Sequence, residues 1–334
     1  MQIETNVQLK PYNSFRTEAT ARLFCQPETI DEVKQAVTQY PNENKLILGQ
    51  GCNLFFTKDY DGLIINPRIK GVKMLNETNQ YVEIEVGAAE DWDEFVAYCV
   101  ERNWSGIENL SYIPGSVGAA PIQNIGAYGA EVKDVITKVN TIDTTNGEVV
   151  AFDTGACQFD YRNSLFKQTR RYIITSVVFR LSKTYTYVER YRALNEALKD
   201  NSSPTLMQVR EAVIKVRQSK LPDHRKVPNA GSFFKNPIID AAAKEKLVAA
   251  LPNAPLYDAG KGLYKTSAAY LIDQAGYKGK RNSDGTVGTS EKHALIIVNH
   301  GTGRGVDIAN FVKEIQQAVA ERYSIDLEPE VWIF

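Results

Sequence analysis

Residues 112–129 read Tyr-Ile-Pro-Gly-Ser-Val-Gly-Ala-Ala-Pro-Ile-Gln-Asn-Ile-Gly-Ala-Tyr-Gly, and no other stretch restricts the fold so tightly. Gly115, Gly118, Gly126 and Gly129 are interleaved with Ala119, Ala120 and Ala127, so the backbone here can approach a ligand closely. Successive N–H groups facing one way form a concave anion site, which would hold a pyrophosphate without any positive charge. The plainer alternative is a tight, buried turn region, and small-residue content alone leaves both readings open.

The flanking segments read as mixed strands and helices. Thr29, followed by Glu32, has the form of a capping box, and Ile30, Val33 and Val37 continue at helical spacing until Tyr40-Pro41. Residues 45–49 and 62–66 are short apolar runs expected as buried strands, with Gly49-Gln50-Gly51-Cys52-Asn53-Leu54 between them. Val82, Ile84 and Val86 alternate with Glu83 and Glu85, the period of a half-exposed strand. Asp91 can cap a helix whose Trp92, Phe95, Val96, Cys99 and Val100 form one apolar stripe. The Asn146-Gly147 turn between residues 139–142 and 149–152 predicts a hairpin, and residues 172–181 predict another strand. The hairpin favours α+β over a purely parallel sheet. A domain junction is expected within residues 183–200. Beyond it, Ser203 and Pro204 should open a helix on Leu206, Val209, Val213 and Val216. Short and long helices are expected at 267–274 and from Ile308 to Val319, with strands at 294–299 and 325–334.

Composition removes several function classes. A chain of 334 residues exceeds one ordinary core and suggests two or three domains. Its longest aliphatic run, residues 294–298, is too short to span a bilayer, and its start lacks the pattern of a secretory signal, so a cytoplasmic protein is expected. A net charge of −1 argues against bulk binding to nucleic acid or an anionic membrane. The four cysteines form no Cys-x-x-Cys pair, and His224, His293 and His300 have no ligand spacing, so no metal is expected. Gly49-x-Gly51 opens like a Rossmann fingerprint but has Leu54 where the third glycine belongs, and no P-loop pattern is present. The glycine-rich run at 300–305 reads as a strand-to-helix turn.

Three polar residues stand among apolar neighbours: Arg162 in Phe-Asp-Tyr-Arg-Asn-Ser-Leu-Phe, Ser232 in Asn-Ala-Gly-Ser-Phe-Phe-Lys-Asn-Pro, and Glu330 in Glu-Pro-Glu-Val-Trp-Ile-Phe. Taken singly, each has an ordinary explanation: a salt bridge, a turn cap and a solvated edge carboxylate beside Pro329.

Together these motifs resemble the UDP-N-acetylenolpyruvoylglucosamine reductases, flavoenzymes of bacterial peptidoglycan synthesis. The resemblance covers most of the chain through residues 13–17, 49–54, 113–129, 161–164, 229–237 and 327–331. It implies an α+β fold, with a FAD-binding domain of the vanillyl-alcohol-oxidase (PCMH) type over residues 1–190, in two subdomains of about 1–68 and 69–190. A smaller α+β substrate-binding domain over 191–334 would follow, its terminal strand 325–334 returning to the active site. In family terms Gly49, Gly51, Asn53, Leu54, Pro114, Gly115, Ser116, Gly118, Gln123, Asn124, Gly126 and Gly129 would line FAD. Neither loop holds a histidine, so noncovalent binding is expected.

The implied reaction passes hydride from NADPH through FAD to the enolpyruvyl ether of UDP-N-acetylglucosamine. Arg162 and Glu330 match the family's polarising pair and Ser232 its proton donor. A guanidinium is no acid at neutral pH, so Arg162 would act electrostatically, and Glu330 could help a developing enolate only when protonated. For the substrate diphosphate the resemblance suggests Tyr191, with Tyr185 and Tyr187 as rivals, together with Lys220, Asn236 and Arg217. His293 falls where some relatives carry glutamine at the substrate. The expected partners are small molecules only, and a monomer is expected.

Overall fold

The alternation of residues 81–86 seeds the largest sheet. In the computed structural model, which describes residues 1–188, 191–199, 201 and 203–334, Val82, Ile84 and Val86 of strand Tyr81–Gly87 are buried, while Glu83 and Glu85 remain partly exposed. Five antiparallel strands run in the order Val149–Asp153, Ile136–Asp143, Tyr172–Ser182, Tyr81–Gly87, Val72–Glu77. The Glu85 carboxylate accepts from Asn140 Nδ2 at 2.9 Å and Ser176 Oγ at 2.6 Å, a polar cross-strand cluster. The expected hairpin turns at Gly147, whose φ of +75° suits a residue without Cβ.

Helix Trp92–Glu101 packs on this sheet. Asp91 Oδ1 accepts from Asp93 N at 2.9 Å and Glu94 N at 3.0 Å, satisfying two of the helix's free N–H groups. Its stripe of Trp92, Phe95, Val96, Cys99 and Val100 is buried, and the Phe95 and Phe179 rings lie 5.0 Å apart. Phe95→Ala would empty that contact at a cost of about 3–5 kcal/mol.

A second sheet orders Glu4–Gln8, Thr20–Cys25, Tyr60–Ile65 and Lys45–Ile47, the last two strands parallel. Helix Ile30–Gln39 buries Val33, Ala36 and Val37 in a core shared with Leu63, Ile65, Ile142 and Ile173. Thr29 caps it by accepting from Glu32 N at 3.2 Å. Glu32 closes its half of the box one residue early, accepting from Glu28 N at 2.7 Å.

The helix expected to open at Ser203 and Pro204 instead spans Leu206–Lys220, because Thr205 supplies the cap: its Oγ1 accepts from Gln208 N at 3.3 Å. Val209 and Val213 pack with Leu194 and Leu198 of helix Arg192–Leu198.

Contacts divide the chain into two units, one of Met1–Val7, Ala21–Gln50 and Asp61–Gln218, the other of Gln8–Thr20, Gly51–Tyr60 and Ser219–Phe334. The second unit holds two antiparallel three-stranded sheets. One orders Asn229–Ser232, Ile296–Asn299 and Val287–Thr289, the other Ile238–Ile239, Leu263–Thr266 and Leu256–Gly260. Helix Gly305–Tyr323 buries Ile308, Phe311, Val312, Ile315 and Val319, and Ser267 caps helix Ala268–Gln274 through Tyr270 N at 3.2 Å. The terminal strand is shorter than expected, only Trp332–Ile333, pairing in parallel with Leu54–Phe55. Before it, Pro329 faces Phe234 in an isolated bridge whose register does not use the N–H that proline lacks. Lys235 N donates to Glu328 O at 2.9 Å, and Glu330 N to Phe233 O at 2.7 Å.

Candidate functional site

In the first unit the two glycine-rich loops meet. Buried Asn66 donates through Nδ2 to Leu48 O at 2.6 Å and Gly49 O at 2.9 Å, which fixes the first loop's entry. Gln50 Nε2 donates to Asp91 Oδ2 at 3.0 Å. A Cβ on Gly49 would stand 3.1 Å from Ser116 Oγ and 3.9 Å from Ala119 Cβ, so only glycine brings the loops this close without forcing Ser116 to move.

The second loop is pinned on both sides. Trp92 N donates to Gly115 O and Val117 N to Glu90 O, each at 2.9 Å, placing Asp91 and Ser116 opposite one another in an isolated bridge. That register does not use the Ser116 N–H. Gly118 lies against Ala88, where a Cβ would come within 2.6 Å of the alanine Cβ, while the space beside Gly115 is open and its φ is +132°. A small-residue backbone, an open glycine and an N–H outside the ladder fit the binding of a pyrophosphate such as that of FAD.

The stretch then forms a two-residue hairpin that sequence reading missed. Gly126–Ala127 pairs with Ala130–Glu131 around Tyr128 and Gly129, at φ +51° and +81°. Positive φ at both turn positions is the type I′ requirement, and glycine at the second of them was the available signal. Fully buried Asn124, at φ +46°, donates through Nδ2 to Glu131 Oε2 at 3.0 Å and Asp160 O at 3.2 Å, and accepts from Lys133 N at 3.1 Å. Ser164 Oγ donates to Ile122 O at 2.6 Å.

Arg162 leans on this loop. Its Nη2 donates to Gly126 O at 2.6 Å, and its guanidinium lies 5.3 Å from the Tyr161 ring centroid. Its φ is +52°, and Tyr112 has +60°. Left-handed backbone costs a non-glycine residue about 1 kcal/mol, and such residues gather where function constrains the chain.

Among the expected substrate residues, Tyr191 is exposed and meets Tyr128 edge to face at 5.1 Å between centroids. Its rivals are engaged elsewhere. Tyr185 packs into the hydrophobic core, where burial holds its pKa above the ordinary value, and Tyr187 Oη donates to Asn195 Oδ1 at 3.0 Å. Arg217 Nε donates to Tyr112 O at 3.0 Å. Burial lowers the Arg217 pKa, opposed by Tyr128, Asp93 and a hydrogen bond to the Tyr128 hydroxyl.

In the second unit Ser232 is exposed beside buried Phe233 and Phe234, after a bulge at which Gly231 has φ +72°. Half-buried Glu330 follows the isolated bridge between Phe234 and Pro329, so Ser232 and Glu330 lie on neighbouring segments. Asn53 Nδ2 donates to Glu330 O at 3.2 Å and Trp332 N donates to Asn53 O at 3.0 Å, while Leu54 pairs with Trp332. Asn236 accepts from Ala268 N at 3.0 Å, and Lys220 is exposed. Leu295 N donates to His293 Nδ1 at 3.3 Å; burial, then Lys220 and Lys278, push that imidazole's pKa down. Among the described residues, no group of three His, Cys, Asp or Glu side chains could hold a metal ion, and no helix is long and apolar enough to cross a membrane.

Residues 222–334 match the family model described as the C-terminal domain of UDP-N-acetylenolpyruvoylglucosamine reductase, and residues 21–153 match a FAD binding domain. The chain is 41% identical over 336 residues to the UDP-N-acetylenolpyruvoylglucosamine reductase of Flavobacterium johnsoniae, covering 99% of each. It is 42% identical over 337 residues to that of Dechloromonas aromatica, again covering 99% of each. The solved UDP-N-acetylenolpyruvylglucosamine reductase of Thermus caldophilus shares its fold, at a TM-score of 0.70 and 23% identity over 100% of this chain and 99% of the other.

Proposed function

The chain belongs to the UDP-N-acetylenolpyruvoylglucosamine reductase family, and from that premise we propose that it uses NADPH to reduce the enolpyruvyl ether of UDP-N-acetylglucosamine to UDP-N-acetylmuramate, with FAD bound noncovalently. Bound FAD would supply a two-electron carrier between the two substrates. Everything else falls to the chain's own side chains.

The observation that carries the reading is Arg162 Nη2 held 2.6 Å from Gly126 O, on a loop whose open Gly115 fits the approach of a pyrophosphate. A cation fixed there can face the enolpyruvyl carboxylate. When the terminal vinyl carbon gains hydride, electron density moves to the carbon bearing that carboxylate. Arg162 would stabilise the resulting enolate, an effect worth roughly 3 kcal/mol by analogy with one oxyanion-hole donor. The Ser232 hydroxyl would then protonate that carbon, converting C=C to C–C, and Glu330 would assist in its protonated form. Exposed Ser232 is free to meet a substrate, and Asn53 supports this reading by fixing the backbone of Glu330.

Gly49, Gly51, Asn53, Leu54, Pro114, Gly115, Ser116, Gly118, Gln123, Asn124, Gly126 and Gly129 would form the cofactor site. Tyr191, Arg217, Lys220, Asn236 and His293 would hold the nucleotide sugar; the exposure of Tyr191 favours it over Tyr185 and Tyr187. We further infer a FAD-binding region over residues 1–190 and a substrate-binding region over 191–334, in a monomer working in the cytoplasm. The matches at 21–153 and 222–334 favour that division. The test is NADPH oxidation by the yellow purified protein: it should require the enolpyruvyl ether and yield one UDP-N-acetylmuramate per NADPH. Rapid oxygen consumption with a reduced sugar and no use of NADPH would instead mark an oxidase.

A further inference from the structure

The mechanism above leaves Asp93 and Arg210 without a role, yet they complete a closed circuit around Tyr112. The Tyr112 N–H donates to Asp93 Oδ1 at 2.5 Å, and its carbonyl accepts from Arg217 Nε at 3.0 Å. Both polar groups of a residue at φ +60° are thus engaged by charged side chains, one from helix Trp92–Glu101 and one from helix Leu206–Lys220. Arg210 joins the two helices. Its Nη1 donates to Asp93 Oδ1 at 2.6 Å and its Nη2 to Asp93 Oδ2 at 3.0 Å, a bidentate pair in which both side chains are largely shielded from water. Arg210 and Arg217 are seven residues apart, two helical turns, and so lie on one face.

That geometry constrains a guanidinium. The Arg217 fork is held at two points, Nε–H on the Tyr112 carbonyl and a second bond to the Tyr128 hydroxyl, and the first of these follows Asp93 through the Tyr112 peptide. Tyr112 also begins the segment leading to Gly115, so one carboxylate fixes both the nucleotide-side arginine and the entry of the cofactor loop.

We propose that Asp93, locked by Arg210, is a positioning residue that orients Arg217 toward the diphosphate of the nucleotide substrate. The inference rests on the reading of Arg217 as a diphosphate ligand. Asp93 touches no reacting atom, so its loss should raise KM and leave kcat nearly unchanged.

The test uses the FAD-loaded protein and UDP as probe, with Kd measured by calorimetry, beside KM and kcat for the enolpyruvyl substrate. Asp93→Asn keeps the shape and removes the charge that holds both Arg210 and the Tyr112 N–H. It should weaken UDP binding on the order of tenfold, the worth of about one charge-assisted hydrogen bond, with kcat within about twofold. On an Arg217→Met background the same change should have no further effect, since its target is gone. If Arg217→Met leaves UDP affinity unchanged, the diphosphate reading itself falls. If Arg217→Met weakens UDP but Asp93→Asn does not, or if the two losses simply add, the positioning role alone is refuted. Should Asp93→Asn lose FAD, Arg210→Gln, which leaves the Tyr112 N–H bond in place, is measured instead: weaker UDP binding at retained kcat supports the proposal, and unchanged binding overturns it.

Discussion

Asn124→Ala separates the scaffold of the proposed cofactor loop from its chemistry. Asn124 is fully buried and makes three side-chain hydrogen bonds: to the Glu131 carboxylate, to Asp160 O and from Lys133 N. At about 1 kcal/mol each their loss comes to roughly 3 kcal/mol. Asparagine tolerates the left-handed backbone observed at φ +46° better than alanine does, which adds up to about 1 kcal/mol. The expected destabilisation is therefore about 4 kcal/mol, read by urea denaturation of the FAD-loaded protein. Asn124→Asp offers a second reading. It can still accept from Lys133 N, but it sets a carboxylate against Glu131 and Asp160 O, so its loss at pH 7 should match or exceed that of alanine. Because protonation restores a donor, the aspartate variant should regain stability as the pH falls toward 5, relative to the alanine variant. An alanine variant within 1 kcal/mol of wild type, or an aspartate variant indistinguishable from wild type at pH 7, would refute the network argument.

Other outcomes follow from charge and burial. The Arg171 guanidinium bonds Asp143 through Nε at 2.8 and 2.9 Å and, as the leading cause, lowers the Asp143 pKa to about 2. Its folded value lies below its unfolded value of about 4, so the stabilisation is fully present above that pH and disappears as the pH falls through 2. Arg171→Met should therefore lower stability to urea at pH 7, by an amount reduced through solvent screening of the exposed guanidinium, and much less at pH 2. Burial pushes the Cys25 and Cys157 thiols up to about 12 and raises that of Cys99. In native protein at pH 8 a thiol-specific disulfide reagent should therefore modify half-exposed Cys52 first, and the other three only after denaturant is added. Modification of all four at one rate would contradict the burial.

What the sequence made legible was local. The Asp91 cap and the stripe from Trp92 to Val100 lie within one helix, and the Asn146-Gly147 turn within one hairpin, so neighbours in the chain determined them. Errors arose where distant segments decide. The terminal strand is short because the segment changes partners: Pro329 faces Phe234 in an isolated bridge, and only Trp332–Ile333 pairs with Leu54–Phe55. Glycines that read alike do different things. Gly118 makes room for Ala88, Gly126 for the Arg162 guanidinium, and Gly51 for the Tyr12 carbonyl, 2.0 Å from where a Cβ would stand. Gly115 alone among these four has open space beside it. No periodicity could separate packing glycines from the open one, because the difference lies in residues far away in sequence. Asp93 and Arg210 carried no sequence signal for the same reason: each is an ordinary charged residue on its own helix, and their pairing exists only once the helices are placed.

The most direct test of the account is the split of half-reactions in Ser232→Ala. Under anaerobic conditions the FAD-loaded variant should still be bleached by NADPH at close to the wild-type rate. On adding the enolpyruvyl ether of UDP-N-acetylglucosamine, its flavin colour should fail to return on the wild-type timescale, because the proton needed at the carboxylate-bearing carbon is missing. Equal loss of both half-reactions, or full recovery of colour with substrate, would contradict the assignment of Ser232 as proton donor.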